Sequence, residues 1–431
     1  MNSGATTVIT PVEDWCAGIP IPGYGSAIYA NNQPYLQLVV PKSASDKELT
    51  AIFKLGPAEA IVLIGLTPPP EKYFGFHPFL RTKVNPDGKR LSLWATLGDA
   101  VNNATVKTTG HTPFNSPVAL IFTPDQGTDA RVRAALLRAG YPAEIINTVV
   151  FPASMLNLGH GDTADELNIT MRNAMWEKGT EADGDAYIRN PPLHLFRVTP
   201  GTETIANPFP APRLRIRGTG QTEMDLMNKL GQLRQGIVAA NSGLYPKDLR
   251  TQPAAYEGYD YIQRGVDPLG DSRDPFWLAA GCVPEYGSTD EITLADDEFL
   301  MVYGANHVAT GKATYHSFTV YSSPEGKVPI GGVDDRAFSS TATPYLPNDP
   351  AAANLMYAYK ISRNCGKELN CVPLAIENCP RLTIGPNTML ALFFRMYLEP
   401  ATKVGPAMPE ILYDRVIKFS PRPQEEPQPC E

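Results

Sequence analysis

Short apolar runs separated by prolines are the feature that most constrains the fold of this chain. The 42 prolines are distributed along all 431 residues, about twice the usual frequency. Because proline has no backbone N–H to donate, it is confined to loops, turns and edge strands. No apolar run reaches the ~18 residues of a membrane-spanning helix. The pattern predicts a folded chain of short strands and many loops, without membrane insertion.

Two aromatic segments, each preceded by an apolar run that ends in glycine, suggest an internal duplication. The run 60–65 precedes the aromatic segment 73–79, and the run 299–304 precedes the segment 315–321. Identity between the segments is low, so coincidental β patterning is the alternative. A true duplication would place two related halves across a shared cleft, where ligands usually bind.

The length of the chain exceeds the usual limit for one hydrophobic core, so two domains or fused halves are expected. We predict an α+β fold of two β-rich halves, with about three helices, mainly in the first half. The predicted segments are an N-terminal arm (1–45), a first α+β half (46–240), a loop-rich connection (241–298), a β-dominated second half (299–420) and a disordered tail (421–431).

Three helices are predicted. The signals are acidic residues at the start of a segment with a glycine at its end, or leucines with helical periodicity. They are expected at 128–140, 162–179 and 222–240, and the first lies between two apolar strands in a βαβ-like unit. Strands are predicted at 35–40, 59–65, 73–81, 91–96, 118–122, 145–151, 194–198, 213–216, 299–304, 313–322, 355–362, 390–398 and 412–419.

The net charge of −8 and the absence of a Lys/Arg-rich run argue against nucleic acid or an anionic membrane surface as the main partner. A small-molecule substrate or ligand is the expected partner. No cofactor is expected, and the sequence does not indicate the oligomeric state.

The six cysteines favour disulfides, with buried free thiols as the alternative. No CxxC motif occurs, and the spacings of Cys365, Cys371 and Cys379 do not match common zinc sites. Among 15 connectivities, a Cys365–Cys371 loop and a Cys16–Cys430 pair are the pairings we consider.

An extracellular or periplasmic location is favoured over an intracellular one. The N-terminus resembles no signal peptide, so we interpret the chain as a mature secreted form. The cysteines support this interpretation. The sequons at Asn103 and Asn168 suggest a glycoprotein, although such short motifs often arise by chance.

His77 is the leading candidate for a general base. It lies among Tyr73, Phe76 and Phe79, where desolvation would lower the pKa of its imidazole and keep it neutral. An ordinary core histidine has the same surroundings and is the alternative. In the catalytic interpretation Asp99 orients His77, and Arg215 or Arg217 binds an anionic substrate group.

His307 and His316 flank the hairpin-like Thr310-Gly311. With a two-residue turn they would be diagonal neighbours, roughly 7–8 Å apart, as an acid/base or metal pair requires. With a three-residue turn they would point to opposite faces. We expect no bound metal. His316 is assigned a catalytic role and His307 a substrate-binding one.

Two loop motifs receive structural interpretations. His160, between two glycines, is interpreted as part of a loop before a helix. The segment 218–223 partly resembles a dinucleotide fingerprint, but Glu223 replaces its third glycine and would repel a pyrophosphate. We interpret this segment as the start of a helix.

The leading functional hypothesis is a secreted or periplasmic enzyme that acts by acid/base hydrolysis or elimination on a small organic or carbohydrate-like substrate. The alternatives are a secreted ligand-binding protein and a structural or assembly subunit. The candidate catalytic residues are His77, Asp99 and His316, and the candidate substrate-binding residues are Tyr73, Asn102, Arg215, Arg217, His307 and Tyr315.

Overall fold

A computed structural model describes most of the chain. The described residues are 2–8, 35–43, 46, 48–110, 112–202, 205–253, 273–283, 288–322, 328–375 and 383–422. Most of the predicted tail, most of the predicted N-terminal arm and the considered Cys16–Cys430 pair lie outside them, and Pro421, the first tail residue, belongs to a strand.

Within these residues the chain forms strands and four α-helices. The helices are α1 (Gln126–Arg138), α2 (Glu181–Arg189), α3 (Met227–Ala240) and α4 (Pro350–Asn354). The strands are β1 (Asn2–Val8), β2 (Tyr35–Pro41), β3 (Leu49–Thr50), β4 (Ala60–Leu66), β5 (Glu71–Val84), β6 (Arg90–Thr96), β7 (Val101–Asn102), β8 (Pro117–Thr123), β9 (Ile146–Val150), β10 (Glu166–Trp176), β11 (Leu193–Val198), β12 (Leu244–Leu249), β13 (Gln252–Pro253), β14 (Pro275–Val283), β15 (Ser288–Thr289), β16 (Phe299–Ala305), β17 (Tyr315–Ser322), β18 (Pro329–Asp334), β19 (Met356–Ser362), β20 (Cys371–Pro373), β21 (Leu390–Tyr397) and β22 (Arg415–Pro421).

The chain divides into two compact units. Unit 1 comprises residues 1–219, 255–276 and 397–406, and unit 2 comprises 220–254, 277–396 and 407–431. Both units are rich in strands, and the longer helices α1, α2 and α3 lie in the first 240 residues. The predicted α+β class is therefore confirmed.

Unit 1 contains an eleven-stranded sheet. Its strand order is β6-β5-β10-β2-β1-β11-β4-β8-β9, with β3 on β2 and β7 on β5. The first four residues of β4 are buried on both faces, because they alternate between two cores. Ile61 and Leu63 join the main core, whereas Ala60 and Val62 join a smaller core with the α1 residues Val132 and Leu136.

The predicted βαβ-like unit is confirmed in β8, α1 and β9. Strands β8 and β9 pair in parallel. The Asp125 carboxylate caps α1 by accepting a hydrogen bond from Thr128 N at 2.6 Å. Gly140 follows the helix with a φ of 91°, a left-handed conformation that glycine adopts readily.

Unit 2 contains a five-stranded sheet and most of a six-stranded sheet. Their strand orders are β12-β22-β16-β19-β20 and β13-β14-β21-β17-β18, with β15 on β14. Aromatic side chains join the sheets face to face: Phe318 of β17 lies 6.3 Å from Tyr357 and 6.0 Å from Tyr359 of β19, between ring centroids. The opposite face of the five-stranded sheet packs against α3 through Leu233 and Ile237.

The prediction of a helix at 162–179 is wrong. The segment forms β10, which lies between β5 and β2 in the sheet. Leu167, Ile169 and Met171 join the core, and polar residues occupy the positions between them. This alternation has the two-residue period of a strand, which the helical punctuation of the sequence obscured.

The strand predicted at 213–216 is also wrong, because these residues have no regular secondary structure. The helix predicted at 222–240 is confirmed as a short 3₁₀ turn, Met224–Leu226, followed by α3. The loop-rich span 241–298 contains the short strands β12, β13 and β15 and the longer β14, which were not predicted.

The considered Cys365–Cys371 pairing is confirmed as a disulfide, with a Cα–Cα distance of 5.6 Å. The Asn168 sequon is inaccessible in the folded chain, because Asn168 is fully buried and its amide donates to Ala51 O. Among the described residues, no helix combines the length and the apolar character needed to cross a bilayer.

Candidate metal centre

Two histidines and one aspartate converge inside unit 2. His307 follows the end of β16, His316 lies in β17, and Asp414 directly precedes β22. All three are 0% exposed. One potential ligand atom from each lies within 4.8 Å of the others.

Both imidazoles face the Asp414 carboxylate at distances longer than good hydrogen bonds. His307 Nε2 lies 3.5 Å from Oδ2, and His316 Nε2 lies 3.4 Å from Oδ1. Four buried polar atoms here form no hydrogen bond with any residue that the structure describes: His307 Nε2, His316 Nδ1, His316 Nε2 and Asp414 Oδ2. Since buried polar atoms are nearly always paired, this concentration requires an explanation.

Glu223 fixes the opposite side of the His307 ring. Its two carboxylate oxygens lie 2.8 and 2.9 Å from His307 Nδ1. Leu412 N donates to Glu223 Oε2 at 2.9 Å, and the Thr310 hydroxyl donates to Oε1. With the Nδ1–H directed at a carboxylate, His307 Nε2 points toward Asp414.

The Asp414 carboxylate is positioned by its neighbours in the five-stranded sheet. Tyr357 of β19 donates its hydroxyl to Asp414 Oδ1 at 2.6 Å. Gly304 of β16 pairs with Tyr357 in the sheet, and a Cβ at position 304 would lie 2.6 Å from the same oxygen. The glycine that ends the apolar run 299–304 therefore leaves the space that the carboxylate occupies.

His316 is enclosed by aromatic rings. Its ring centroid lies 5.0 Å from Phe338 and 5.5 Å from Tyr357, both in edge-on arrangements. Its backbone N donates to Asp335 Oδ1 at 3.2 Å. The imidazole is thus held by packing, while both of its nitrogens remain available.

The pKa values of His307, His316 and Asp414 reflect their burial and the charges close to them. Burial alone would lower the pKa of His307, but the Glu223 carboxylate outweighs it and raises that pKa to about 10. Burial lowers the pKa of His316. Burial would raise the pKa of Asp414, yet the two imidazoles hold it well below its usual value. Without a bound cation, the centre therefore holds His307 protonated between two carboxylates.

The histidine pair forms by a different route from the expected hairpin. His307 follows a strand of one sheet and His316 lies in a strand of the other, so the segment between them crosses between sheets. The ring centroids are 4.4 Å apart. Sequence reasoning missed Asp414 and assigned Glu223 to a helix start, and no local motif marks either residue as a partner of histidine.

His77 belongs to a separate buried network in unit 1. It is 1% exposed, and its Nε2 lies 2.7 Å from the Tyr73 hydroxyl, which donates to Asp274 at 2.8 Å. Because Tyr73 has a single hydroxyl proton, His77 Nε2–H donates to Tyr73. Asn102 also donates to Asp274, at 3.0 Å. Burial, with a contribution from Arg172, lowers the pKa of His77 well below its usual value.

Gly75 allows this network to form. Residues four apart in a strand share one face, and Tyr73 and His77 meet across Gly75. A Cβ there would lie 2.3 Å from the Tyr73 hydroxyl oxygen and 2.8 Å from His77 Nε2. The aromatic surroundings inferred for His77 include Phe79, whose ring stacks at 6.1 Å between centroids.

Asp99 and the candidate arginines hold backbone segments of unit 1. Asp99 accepts from Arg215 N at 2.6 Å and from Arg273 Nε at 2.7 Å, so it does not orient His77 as we expected. Arg217 donates to the carbonyls of Pro275 and Pro406, each at 3.3 Å. Tyr315, in unit 2, is fully buried beside His316.

Comparisons with known proteins do not indicate a family. No family model matches the chain, and no curated protein matches it. A structural-genomics target protein from Vibrio parahaemolyticus is similar at 11% identity, over 91% of this chain and 90% of that chain, with a TM-score of 0.42. An uncharacterised protein from Burkholderia cenocepacia is similar at 10% identity, over 96% of this chain and 81% of that chain, with a TM-score of 0.41.

Proposed function

We propose that this protein binds a divalent transition-metal ion in unit 2, between His307, His316 and Asp414. The observation that carries the proposal is the group of buried imidazole and carboxylate atoms that face one another without hydrogen bonds to described residues. A bound cation would accept electron density from His307 Nε2, Asp414 Oδ2 and one nitrogen of His316 together, and would remove the cost of burying those three atoms unpaired.

The distances suit a metal ion better than hydrogen bonds. Ligand bonds of about 2.1 Å at a tetrahedral angle place neighbouring ligand atoms about 3.4 Å apart. The two nitrogen–oxygen distances are 3.5 and 3.4 Å. A direct N–H···O bond would close to about 2.9 Å. Imidazole and carboxylate ligands together favour zinc, iron, nickel or copper over calcium.

The charge of the centre also favours a dication. Glu223 and Asp414 bring two negative charges into a site where all four side chains are almost completely buried. A single imidazolium would leave one negative charge uncompensated. A divalent ion with two neutral imidazoles would bring the total to zero, which matters most where water cannot screen the charges.

The second layer of contacts has the form found around bound metals. A ligating histidine usually donates its other ring N–H to a carboxylate, which fixes the tautomer and orients the ring. Glu223 stands in that position relative to His307. Tyr357 occupies a comparable position relative to Asp414. Neither contact requires rearrangement to admit an ion.

Burial argues for a stabilising ion rather than a catalytic one. His316 lies in a strand of the six-stranded sheet, and His307 and Asp414 lie next to strands of the five-stranded sheet, so an ion would link the two sheets. Because a metal that binds only the folded state adds its binding free energy to stability, we assign the ion a structural role.

The compartment belongs to the same proposal. The Cys365–Cys371 disulfide favours an oxidising environment, and we propose an extracellular or periplasmic protein. Acid/base chemistry at His77, the function expected from the sequence, is not what we propose. Its imidazole is buried, and its Nε2 is engaged by Tyr73.

Metal analysis of the purified protein tests the proposal. The protein is stripped with dipicolinate, reloaded with Zn²⁺ or Co²⁺, and measured by plasma mass spectrometry and visible absorption. We expect stoichiometric uptake, an intense Co²⁺ spectrum and a rise in Tm on reloading. The His316→Ala and Asp414→Asn variants should lose uptake.

Two further variants separate metal binding from folding. Glu223→Gln keeps every ligand, and we expect it to weaken metal affinity about 10- to 100-fold while the apo protein remains folded. His194→Ala alters an exposed histidine of β11 in unit 1 and should bind the ion normally. An apo protein that takes up neither ion, or a Co²⁺ spectrum unchanged in His316→Ala, would refute the proposed centre.

A further inference from the structure

An open pocket in unit 1 contains a second histidine–carboxylate pair, separate from the metal centre. Its volume is about 380 Å³, and it is lined by residues 56–59, His160 and 199–202. This volume lies within the range of small-molecule sites. His77 and the metal centre are buried, whereas the His160 side chain of this pair is half-exposed and its Glu59 partner is buried.

Glu59 forms the fixed base of the pair. Its carboxylate accepts hydrogen bonds from Gly56 N at 2.7 Å, Arg197 Nη2 at 2.7 Å and Thr199 Oγ1 at 2.6 Å. Burial would raise the pKa of Glu59, but these partners, Arg197 first, lower it below its usual value. The carboxylate therefore stays ionised at neutral pH.

His160 lies next to this carboxylate. Its Nε2 lies 3.1 Å from Glu59 Oε2, and its side chain is 47% exposed. Since the carboxylate can only accept, the proton of a neutral imidazole lies on Nε2 and the lone pair on Nδ1. A Cβ at either flanking residue, Gly159 or Gly161, would have no heavy atom within 4 Å.

We propose that His160, oriented by Glu59, is a general base for the hydrolysis of a small carboxylic ester bound in this pocket. A carboxylate that fixes the histidine tautomer and stabilises the imidazolium is the arrangement that general-base catalysis uses. The half-exposed His160 side chain meets the requirement that the base reach a water molecule. The proposed hydrolysis requires no metal ion, so this activity is independent of the metal centre in unit 2.

The proposed step is balanced with water as the only co-reactant. His160 Nδ1 takes a proton as the water oxygen bonds to the acyl carbon. The acyl carbon–oxygen bond to the alcohol then breaks, and His160 returns the proton to the leaving oxygen. The products are a carboxylic acid and an alcohol, and the imidazole is regenerated.

Hydrolysis of p-nitrophenyl acetate by the full chain, followed as p-nitrophenolate absorbance, tests this proposal. A general base contributes about 10²- to 10⁴-fold, so we expect His160→Ala to lose about 100-fold of the protein-catalysed rate. The exposed His194→Ala variant should keep that rate. Added imidazole should restore turnover in His160→Ala by entering the vacated space, with saturation at high imidazole concentration.

Two results would overturn the proposal. One is a His160→Ala rate equal to that of the wild type, and the other is an equal loss in His194→Ala. Dipicolinate distinguishes the two sites, since the chelator should remove the metal from unit 2 and leave the His160-dependent rate unchanged. A rate that falls on chelation would place the activity at the metal and refute the assignment to His160.

Discussion

His307 and His316 place their ring centroids 4.4 Å apart, although one follows a strand of the five-stranded sheet and the other lies in the six-stranded sheet. Asp414 lies against both rings. The centre thus forms where two sheets of one unit meet, and its geometry depends on the packing of both. Substitutions that alter the space around Asp414 should therefore change metal binding without removing a ligand.

Gly304→Ala should weaken metal binding. Its Cβ would lie 2.6 Å from Asp414 Oδ1, so the carboxylate must move away from both imidazoles. We expect at least a tenfold loss of Co²⁺ affinity by titration, because ligand position controls coordination. Gly231→Ala in α3 has open space around the new Cβ and should leave affinity unchanged. Equal affinity in both variants would contradict this account of Gly304.

The parts of the fold that the sequence predicted well are those with local causes. The α1 helix has an acidic first turn and a terminal glycine, and β4 and β8 are continuous apolar runs. The β10 segment was misassigned because residues 162–166 resemble a helix start. Its strand pairing with β5 and β2 is a long-range effect, and such tertiary contacts override local preference.

The sequence indicated only the two histidines of the candidate centre. The two histidines drew attention by their spacing, but Asp414 is distant in the chain and comes close only through the pairing of β22 with β16. Glu223 reaches His307 because the start of α3 packs on the same sheet. No spacing rule connects these residues, so only the folded arrangement identifies them.

Asp274 should make the stability of unit 1 depend on pH. Burial raises its pKa from 3.8 to about 6, opposed by Asn102, Tyr73 and Arg215. Between these values the folded state binds more protons than the unfolded state, so stability should fall as pH rises from 4 to 6.5. The full difference is at most about 3 kcal/mol. Urea unfolding at several pH values measures it.

The Asp274→Asn variant isolates the contribution of Asp274 to the pH dependence. Burial also raises the pKa of Glu71, but Glu71 is present in both proteins, so its effect cancels in the comparison. We expect the wild type to lose stability relative to Asp274→Asn as pH rises through 6. Two stability profiles that run parallel from pH 4 to 6.5 would exclude Asp274 as the cause.

The Cys365–Cys371 disulfide should stabilise unit 2 modestly. The cysteines are separated by 6 positions, and closing so short a loop restricts the unfolded chain by about 2 kcal/mol. The double variant Cys365→Ser, Cys371→Ser should therefore have a lower urea midpoint. Dithiothreitol should produce the same decrease in the wild type and none in the double variant. A decrease of equal size in the double variant would assign the effect to other cysteines.

Gly75→Ala should destabilise unit 1 through the Tyr73 hydroxyl. The new Cβ would lie 2.3 Å from that oxygen and 2.8 Å from His77 Nε2, so the hydrogen bond between them cannot persist. Overpacking of this kind costs about 1–3 kcal/mol. A double-mutant cycle with Tyr73→Phe measures the specific contribution, because the phenylalanine lacks the oxygen in closest contact. Gly75→Ala should lower the free energy of unfolding clearly less in the Tyr73→Phe background. An equal loss in both backgrounds would show that contact with the Tyr73 hydroxyl is not the cause of the destabilisation.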